Sequence, residues 1–323
     1  MGRLLRARAS PDPPATPYAA HHGPRILSPS ASPGALKPLE CVANVSEGRD
    51  HRVLRELADA CGDVLLDVHA DPDHHRSVFT LAGPPDEVQG AARSLARVAL
   101  ATLDLSAHDG AHPRFGVLDV VPFAPLGTSE LSDALGQRDA FAAWAGAALG
   151  LPCFLYGPLP GGEVRSLPEV RRGAFRAFGP DTGPSHPHPT AGAAAVGARG
   201  VLVAYNLWLA DADITLARAL AARIRGPSVR ALGFGLPHGV QVSCNLLEPL
   251  EVGPAQVYDR VSALLRDAAA DSSSRPVIRR AELVGLVPAA VLERIPPRRW
   301  AELDLAPDRT IEARLETTAE QPS

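Results

Sequence analysis

The element order strand, helix, strand, strand, helix, strand can be read twice along this chain, and few folds accept that order. The first run opens with an apolar strand at 39–45, after which Ser46 or Asp50 can cap a helix through Leu57 and Ala58. Strands at 64–68 and 76–81 follow, separated by the turn signal Asp71-Pro72-Asp73. Gly83-Pro84-Pro85 opens a helix with Val88, Ala91, Ala92, Leu95, Val98 and Ala99 at helical spacing, and 117–123 is the fourth strand. The second run starts with a strand at 201–205 and a helix from Asp211 or Asp213 that carries Ile214, Ala217, Leu220, Ala221 and Ile224. Strands at 229–234 and 240–246 flank a Pro237-His238-Gly239 turn. A helix marked by Val257, Val261, Leu264, Leu265 and Ala268 leads to a closing strand at 277–284.

A doubly wound parallel sheet would need a helix between nearly every pair of strands, and the short turns at Asp71-Pro72 and Pro237-His238 provide none. The expected class is therefore α+β, with two tandem ferredoxin-like (β-α-β-β-α-β) subdomains. On this division 1–37, rich in Pro, Ala, Ser and Arg, is a disordered N-terminal extension. Residues 38–182 and 183–300 are the two subdomains, and 301–323, polar and acidic, is a loose C-terminal tail. Between the repeats lie one or two helices within 129–149 and a strand at 153–156. A Gly/Pro-rich bridge from 157 to 192 follows; it is long for a plain connection, so it is expected to line a site.

Composition narrows the function. Across 323 residues, 46% are hydrophobic, enough for a substantial core, and 32 basic against 36 acidic residues give a net charge of −4. A nucleic-acid binder would show a basic excess, so that class is set aside. The basic residues are arginines apart from Lys37; arginines suit bidentate pairing with carboxylates and leave a polyanionic small ligand open. Four scattered cysteines (Cys41, Cys61, Cys153, Cys244) form no CxxC pair and are expected to be reduced and buried. No apolar run is long enough to cross a bilayer, and the N-terminus lacks a continuous apolar segment. The expectation is a cytoplasmic protein without a membrane or nucleic-acid partner.

The chemistry gathers at His108-Asp109-Gly110-Ala111-His112-Pro113-Arg114-Phe115-Gly116, a loop that runs into the fourth strand. Pro113 disfavours helical backbone at His112, and the flanking glycines leave room for a ligand. An imidazole there can exchange protons near neutrality and act as general acid or base, with Asp109 or Asp119 to orient it. His108 and His112 also have the i,i+4 spacing of a zinc pair, but Asp109-Gly110 and Pro113 argue against a helix, so no metal is expected. There is no GxSxG elbow and no phosphate loop. Asn44-Val45-Ser46-Glu47-Gly48-Arg49 is a helix cap or a ligand loop. Arg76, after His74-His75, is a solvated edge residue or a carboxylate clamp. Arg165, Arg171 and Arg172 form a basic cluster. Gly183, Pro184, Ser185, His186, Pro187, His188, Pro189, Thr190, Ala191 and Gly192 cannot form a regular element, so they are a linker or a pre-shaped wall for a flat ligand.

Taken together, the ordered segments resemble the formiminotransferase family. The segments are Glu40-Cys41-Val42-Ala43-Asn44-Val45-Ser46-Glu47-Gly48-Arg49, Leu65-Leu66-Asp67-Val68, Arg76-Ser77-Val78-Phe79-Thr80 and the stretch from Gly110 to Val120. Further on come Tyr156-Gly157, Arg165-Ser166-Leu167-Pro168, Ala204-Tyr205-Asn206 and Ser243-Cys244-Asn245-Leu246-Leu247. Coverage runs from Leu39 to Leu292. The resemblance implies two ferredoxin-like subdomains facing across a substrate groove, and transfer of a formimidoyl group from N-formimidoyl-L-glutamate to tetrahydrofolate, a step of histidine degradation and one-carbon metabolism. It makes His112 the catalytic histidine and Gly183 to Gly192 the folate-contacting segment. Asn44, Glu47, Arg76, Arg114, Arg165, Asn206 and Asn245 become substrate-binding candidates. Tetrahydrofolate would be a co-substrate, and no metal would be needed. The His188-Pro189-Thr190-Ala191-Gly192 form is similar to the shorter bacterial members, which lack the cyclodeaminase domain. An acidic position of the animal pattern is His69 here, and an asparagine is His75. The residues also leave open a same-scaffold transferase with another formimidoyl or formyl donor, and a folate-binding protein without turnover. Open sheet edges admit a homodimer.

Overall fold

The computed structural model describes residues 37–110, 114–270 and 275–320. The N-terminal extension up to residue 36 lies outside them, and so does His112.

The first unit runs β1 (Leu39–Val45), α1 (His51–Asp59), β2 (Leu65–Asp71), β3 (Arg76–Gly83), α2 (Pro85–Thr102) and β4 (Leu118–Pro125). It continues through α3 (Leu131–Leu149), β5 (Cys153–Pro158), β6 (Val164–Arg165), α4 (Leu167–Gly173) and β7 (Ala194–Ala198). The second unit follows as β8 (Val203–Ala210), α5 (Ile214–Ile224), β9 (Val229–Leu236), β10 (Gly239–Leu246), α6 (Pro254–Ala270) and β11 (Val277–Val284), and the chain ends in α7 (Ala289–Glu293) and α8 (Ile311–Glu320). The result is a mixed α+β architecture with two sheets.

A seven-stranded sheet has the order β2-β3-β1-β4-β7-β5-β6, and a four-stranded sheet the order β11-β8-β10-β9. The four repeat strands of each unit therefore pair in the same relative order: fourth, first, third, second. The main helix layer covers one face of each sheet, and α4 and α8 pack on parts of the other face of the first. In the first, Leu39, Cys41, Ala43 and Val45 point into a core shared with Leu57, Leu95 and Phe141. In the second, Val203, Tyr205, Leu207 and Leu209 pack on Leu220, Ile224, Val257 and Val261. Because successive side chains alternate, Glu40, Val42 and Asn44 on β1, and Ala204, Asn206 and Trp208 on β8, fall on the opposite faces; α8 packs over the Glu40 end of the first of these.

Three features differ from the sequence expectation. Directly after the bridge comes β7, a strand absent from the sequence reading, which pairs in parallel with both β4 and β5. Its Ala-Ala-Val-Gly-Ala run lacks the branched and aromatic residues that mark strands. Small residues are required because a Cβ on Gly197 would lie 2.1 Å from the Tyr156 ring. The boundary expected at 182/183 thus falls inside the stretch that completes the first sheet. Strand β8 reaches Ala210 rather than stopping at Tyr205, carried on by its pairing with both neighbours. Finally, 301–320 is not a loose tail. Leu303, Leu305 and Ile311 are buried, the Tyr205 hydroxyl donates to the Leu303 carbonyl at 3.0 Å, and Ile311 packs with Leu66, Ala82 and Leu286 across both units. Its composition is polar, but these few apolar positions suffice to dock it. Among the described residues, no helix is long and apolar enough to cross a membrane.

Candidate active site

Polar residues stand on the faces opposite the main helix layers, and the β2–β3 turn of the first unit meets the second sheet. His74, in the β2–β3 turn, places Nε2 3.0 Å from Gln241 Oε1 on β10. Its ring meets Phe234 of β9 edge-on at 4.9 Å. Behind Gln241 stands Glu282 of β11, whose Oε2 accepts from the Trp208 indole N–H at 2.8 Å and from Asn206 Nδ2 at 3.1 Å. Burial pushes the Glu282 carboxyl up, but His69 of the first unit and these two hydrogen bonds outweigh it and hold it below the usual carboxylate range. On the opposite face Asn44 is buried between Val78 and Val120 in the strand register. Glu40 Oε2 and Thr80 Oγ1 are buried there without a hydrogen-bond partner.

The loop after α2 is held from two sides. On one side, the His108 ring stacks on His75 at 4.1 Å, and His108 Nε2 donates to the His75 carbonyl at 2.8 Å. Burial lowers both imidazole pKa values. The His108 ring depresses His75 further, whereas the hydrogen bond to the His75 carbonyl opposes the drop at His108. On the other side, the Leu105 N–H donates to Thr190 O at 2.7 Å, the Val117 N–H to Ala191 O at 3.0 Å, and the Ala193 N–H to Phe115 O at 2.9 Å. The Gly183–Gly192 segment thereby lies against this loop, pinched by mutual backbone hydrogen bonds between His188 and Gly192. Gly192 has φ +70°, and a Cβ there would sit 2.2 Å from the Phe115 carbonyl oxygen.

The expected site residues distribute as follows. Arg114 donates to the carbonyls of His108 (2.7 Å) and Gly110 (2.9 Å), bracing the loop. Glu47 uses one oxygen, Oε1, to accept the N–H groups of Gly48, Arg49 and Asp50 at 2.7–2.9 Å, directly before α1. Asp50 rather than Ser46 caps that helix, by accepting from Arg52 N; the Ser46 hydroxyl donates to Gly116 O at 2.8 Å. Arg76 stands beside Asp119 and Arg171, and burial pulls its guanidinium down to about 10, with Asp119 opposing. Asn206 is buried on the facing sheet. Arg165 lies on the edge strand β6, paired with Asp181 at 2.7 Å and stacked over Phe178. Asn245 is exposed on β10. Contacts thus tie Glu47 and Arg114 to the His75–His108 pair and Asn206 to Glu282, while Arg165 sits on the edge strand of the first sheet.

Of the two carboxylates considered for orienting His112, Asp109 is exposed, while Asp119 is buried and engaged by Arg171 Nη2 at 2.5 Å and the Phe115 N–H at 2.9 Å. Sequence inspection missed Glu282 and Gln241; the alternation of Arg280 and Glu282 in an apolar strand is the only signal they leave. All four cysteines are free and buried, and burial pushes Cys61, Cys153 and Cys244 up to about 12, so none of these three presents a thiolate near neutrality. Among the described residues, no three His, Cys, Asp or Glu side chains are gathered as a metal ion would need.

Fold and site together define a mixed α+β protein with two sheets, whose units meet at a histidine-rich turn and loop. Residues 38–199 match the Formiminotransferase domain, N-terminal subdomain. The chain is 33% identical over 277 residues to the glutamate formimidoyltransferase of Streptococcus pyogenes serotype M1, covering 79% of this chain and 91% of that one. It is 34% identical over 277 residues to the glutamate formimidoyltransferase of Thermoplasma acidophilum (79% and 89%). It is 36% identical over 280 residues to the formimidoyltransferase-cyclodeaminase of Sus scrofa, where it spans about half of that protein, 51%. The chain belongs to the formiminotransferase family.

Proposed function

We propose that this protein is a transferase that moves the formimidoyl group of N-formimidoyl-L-glutamate to N5 of tetrahydrofolate, in the cytoplasm. The two units would be ferredoxin-like subdomains that take both substrates in a groove between their polar faces; the shared strand order supports this. The observation that carries the proposal is the pairing of those faces. Asn44 and the buried, unsatisfied Thr80 Oγ1 lie on one face, and Asn206 and Glu282 on the other. Buried polar atoms left without partners in a protein interior are uncommon, and a polar ring ligand would satisfy them.

N5 of tetrahydrofolate attacks the amidine carbon, forming a C–N bond and a tetrahedral intermediate. The bond from that carbon to the glutamate nitrogen then breaks. His112 takes the N5 proton and returns one to the departing nitrogen, so glutamate leaves as the neutral amine. Acid–base work of this kind contributes ~10²–10⁴ in rate, and holding two substrates in one groove provides much of the remainder. Arg76 and Arg114 are the proposed carboxylate partners, and the Gly183–Gly192 segment the proposed folate wall.

Mixing the protein with both substrates, then acidifying, should develop the absorbance of methenyltetrahydrofolate. His112→Ala should lose at least about a hundredfold in kcat. Full activity in that variant would remove His112 from the mechanism. Turnover only with another formimidoyl or formyl donor would change the substrate, and folate binding without turnover would leave a binding protein.

A further inference from the structure

Three consecutive residues of the β2–β3 turn reach in two directions. Asp73 accepts from His238 Nδ1, at 2.8 and 3.0 Å to its two oxygens, in the β9–β10 turn of the second unit. His74 contacts Gln241 and Phe234 of the same hairpin. His75 turns the other way and carries the stacked His108 ring, with its carbonyl accepting from His108 Nε2.

We propose that His75 is a positioning residue for the transfer: the Asp73-His74-His75 turn couples docking of the β9–β10 hairpin to the placement of the backbone on either side of residues 111–113.

The turn is stiff enough to transmit a displacement. Asp71 Oδ1 accepts the Asp73 and His74 N–H groups at 2.8 and 2.9 Å. His75 has φ +48°, a left-handed conformation that a β-carbon disfavours, so the surrounding contacts hold it there. Its Nδ1 accepts the Gly48 N–H at 3.2 Å, so the start of α1 is anchored to the same ring. There is no slack on the loop side. A Cβ on Gly110 would lie 2.6 Å from the His74 carbonyl oxygen and 2.8 Å from the His75 Cβ. Arg114 then ties the far flank back to His108 and Gly110. A shift of the second unit's hairpin therefore moves the turn, and the turn moves both flanks of the segment that holds His112 in sequence.

The effect on turnover rests on the proposed formimidoyl transfer; the mechanical coupling does not, so two measurements separate them. Hydrogen exchange on the full chain should show amides in 105–110 and 114–117 exchanging about fivefold faster in Gln241→Leu, with α2 and α5 unchanged. His238→Ala, at an exposed side chain, should show the same in smaller degree and guards against a Gln241 variant that does not fold. In the transfer assay His75→Ala should lose about tenfold or more in kcat with KM for tetrahydrofolate unchanged. His108→Phe, which keeps a ring in the stack, should lose less than His108→Ala. Unchanged exchange at 105–110 and 114–117 in both second-unit variants would overturn the coupling. An unchanged kcat in His75→Ala would overturn the positioning role. A wild-type protein without transfer would remove the substrate assignment, while the exchange result would still decide the coupling.

Discussion

Asp119 holds two elements through one carboxylate. It accepts from Arg171 on α4 and from the Phe115 N–H in the loop before β4, and Arg76 of β3 lies within its field. Asp119→Ala would leave two guanidinium groups facing each other with their shared anion gone. We expect a loss of about 3 kcal/mol, read as a lower denaturant midpoint at unchanged slope. At Gly116 a Cβ would sit 1.9 Å from the Ala193 carbonyl oxygen. Gly116→Ala should therefore separate the loop from the Gly183–Gly192 segment, at a cost of about 1–3 kcal/mol. The sequence shows residues of this kind only as members of local runs. Arg171 reads as part of a basic cluster because its partner is 52 positions away, and nothing in linear spacing carries such a pairing. Glu47 is the reverse case: its neighbours in sequence are its partners, so helix cap and ligand loop were both legible and the geometry had only to choose.

At the scale of elements, burial decides what composition hides. Strand β1 was legible residue for residue, because Leu39, Cys41, Ala43 and Val45 face the core and the breakers on either side are unambiguous. The Asp213 cap of α5 was also within the sequence expectation, its carboxylate accepting from Leu216 N at 2.8 Å. Strand β7 and helix α8 were not legible, for opposite reasons. The first is too small in its side chains to show strand propensity, and the second is too polar overall to show its docking residues. The docking can be tested. Ile311 is 1% exposed in the cluster with Leu66, Ala82 and Leu286. Ile311→Ala should cost about 3 kcal/mol and lower Tm by several degrees. A value near zero would mean that α8 contributes nothing to joining the units.

For the molecule as a whole, one buried carboxyl sets a pH dependence. Burial raises Glu40 to about 7, with Arg199 opposing and Glu312 adding to the rise. The folded protein therefore keeps a proton that the unfolded chain has released between about 4.5 and 7. Stability should fall as pH rises through that window and level off above it, by up to about 3 kcal/mol. Glu40→Gln should flatten that part of the stability curve measured between pH 5 and 8. The parallel pairing of β7 bears on how the molecule is made. This strand sits between β4 and β5, yet it leaves the ribosome after both. Until residue 198 emerges, a nearly finished sheet is split in two, with bare strand edges at its centre that can recruit other chains. A fragment ending at Thr182 should scatter light strongly as it aggregates, and one ending at Gly200 far less. The first sheet is thus closed at its interior, by the strand that synthesis delivers last.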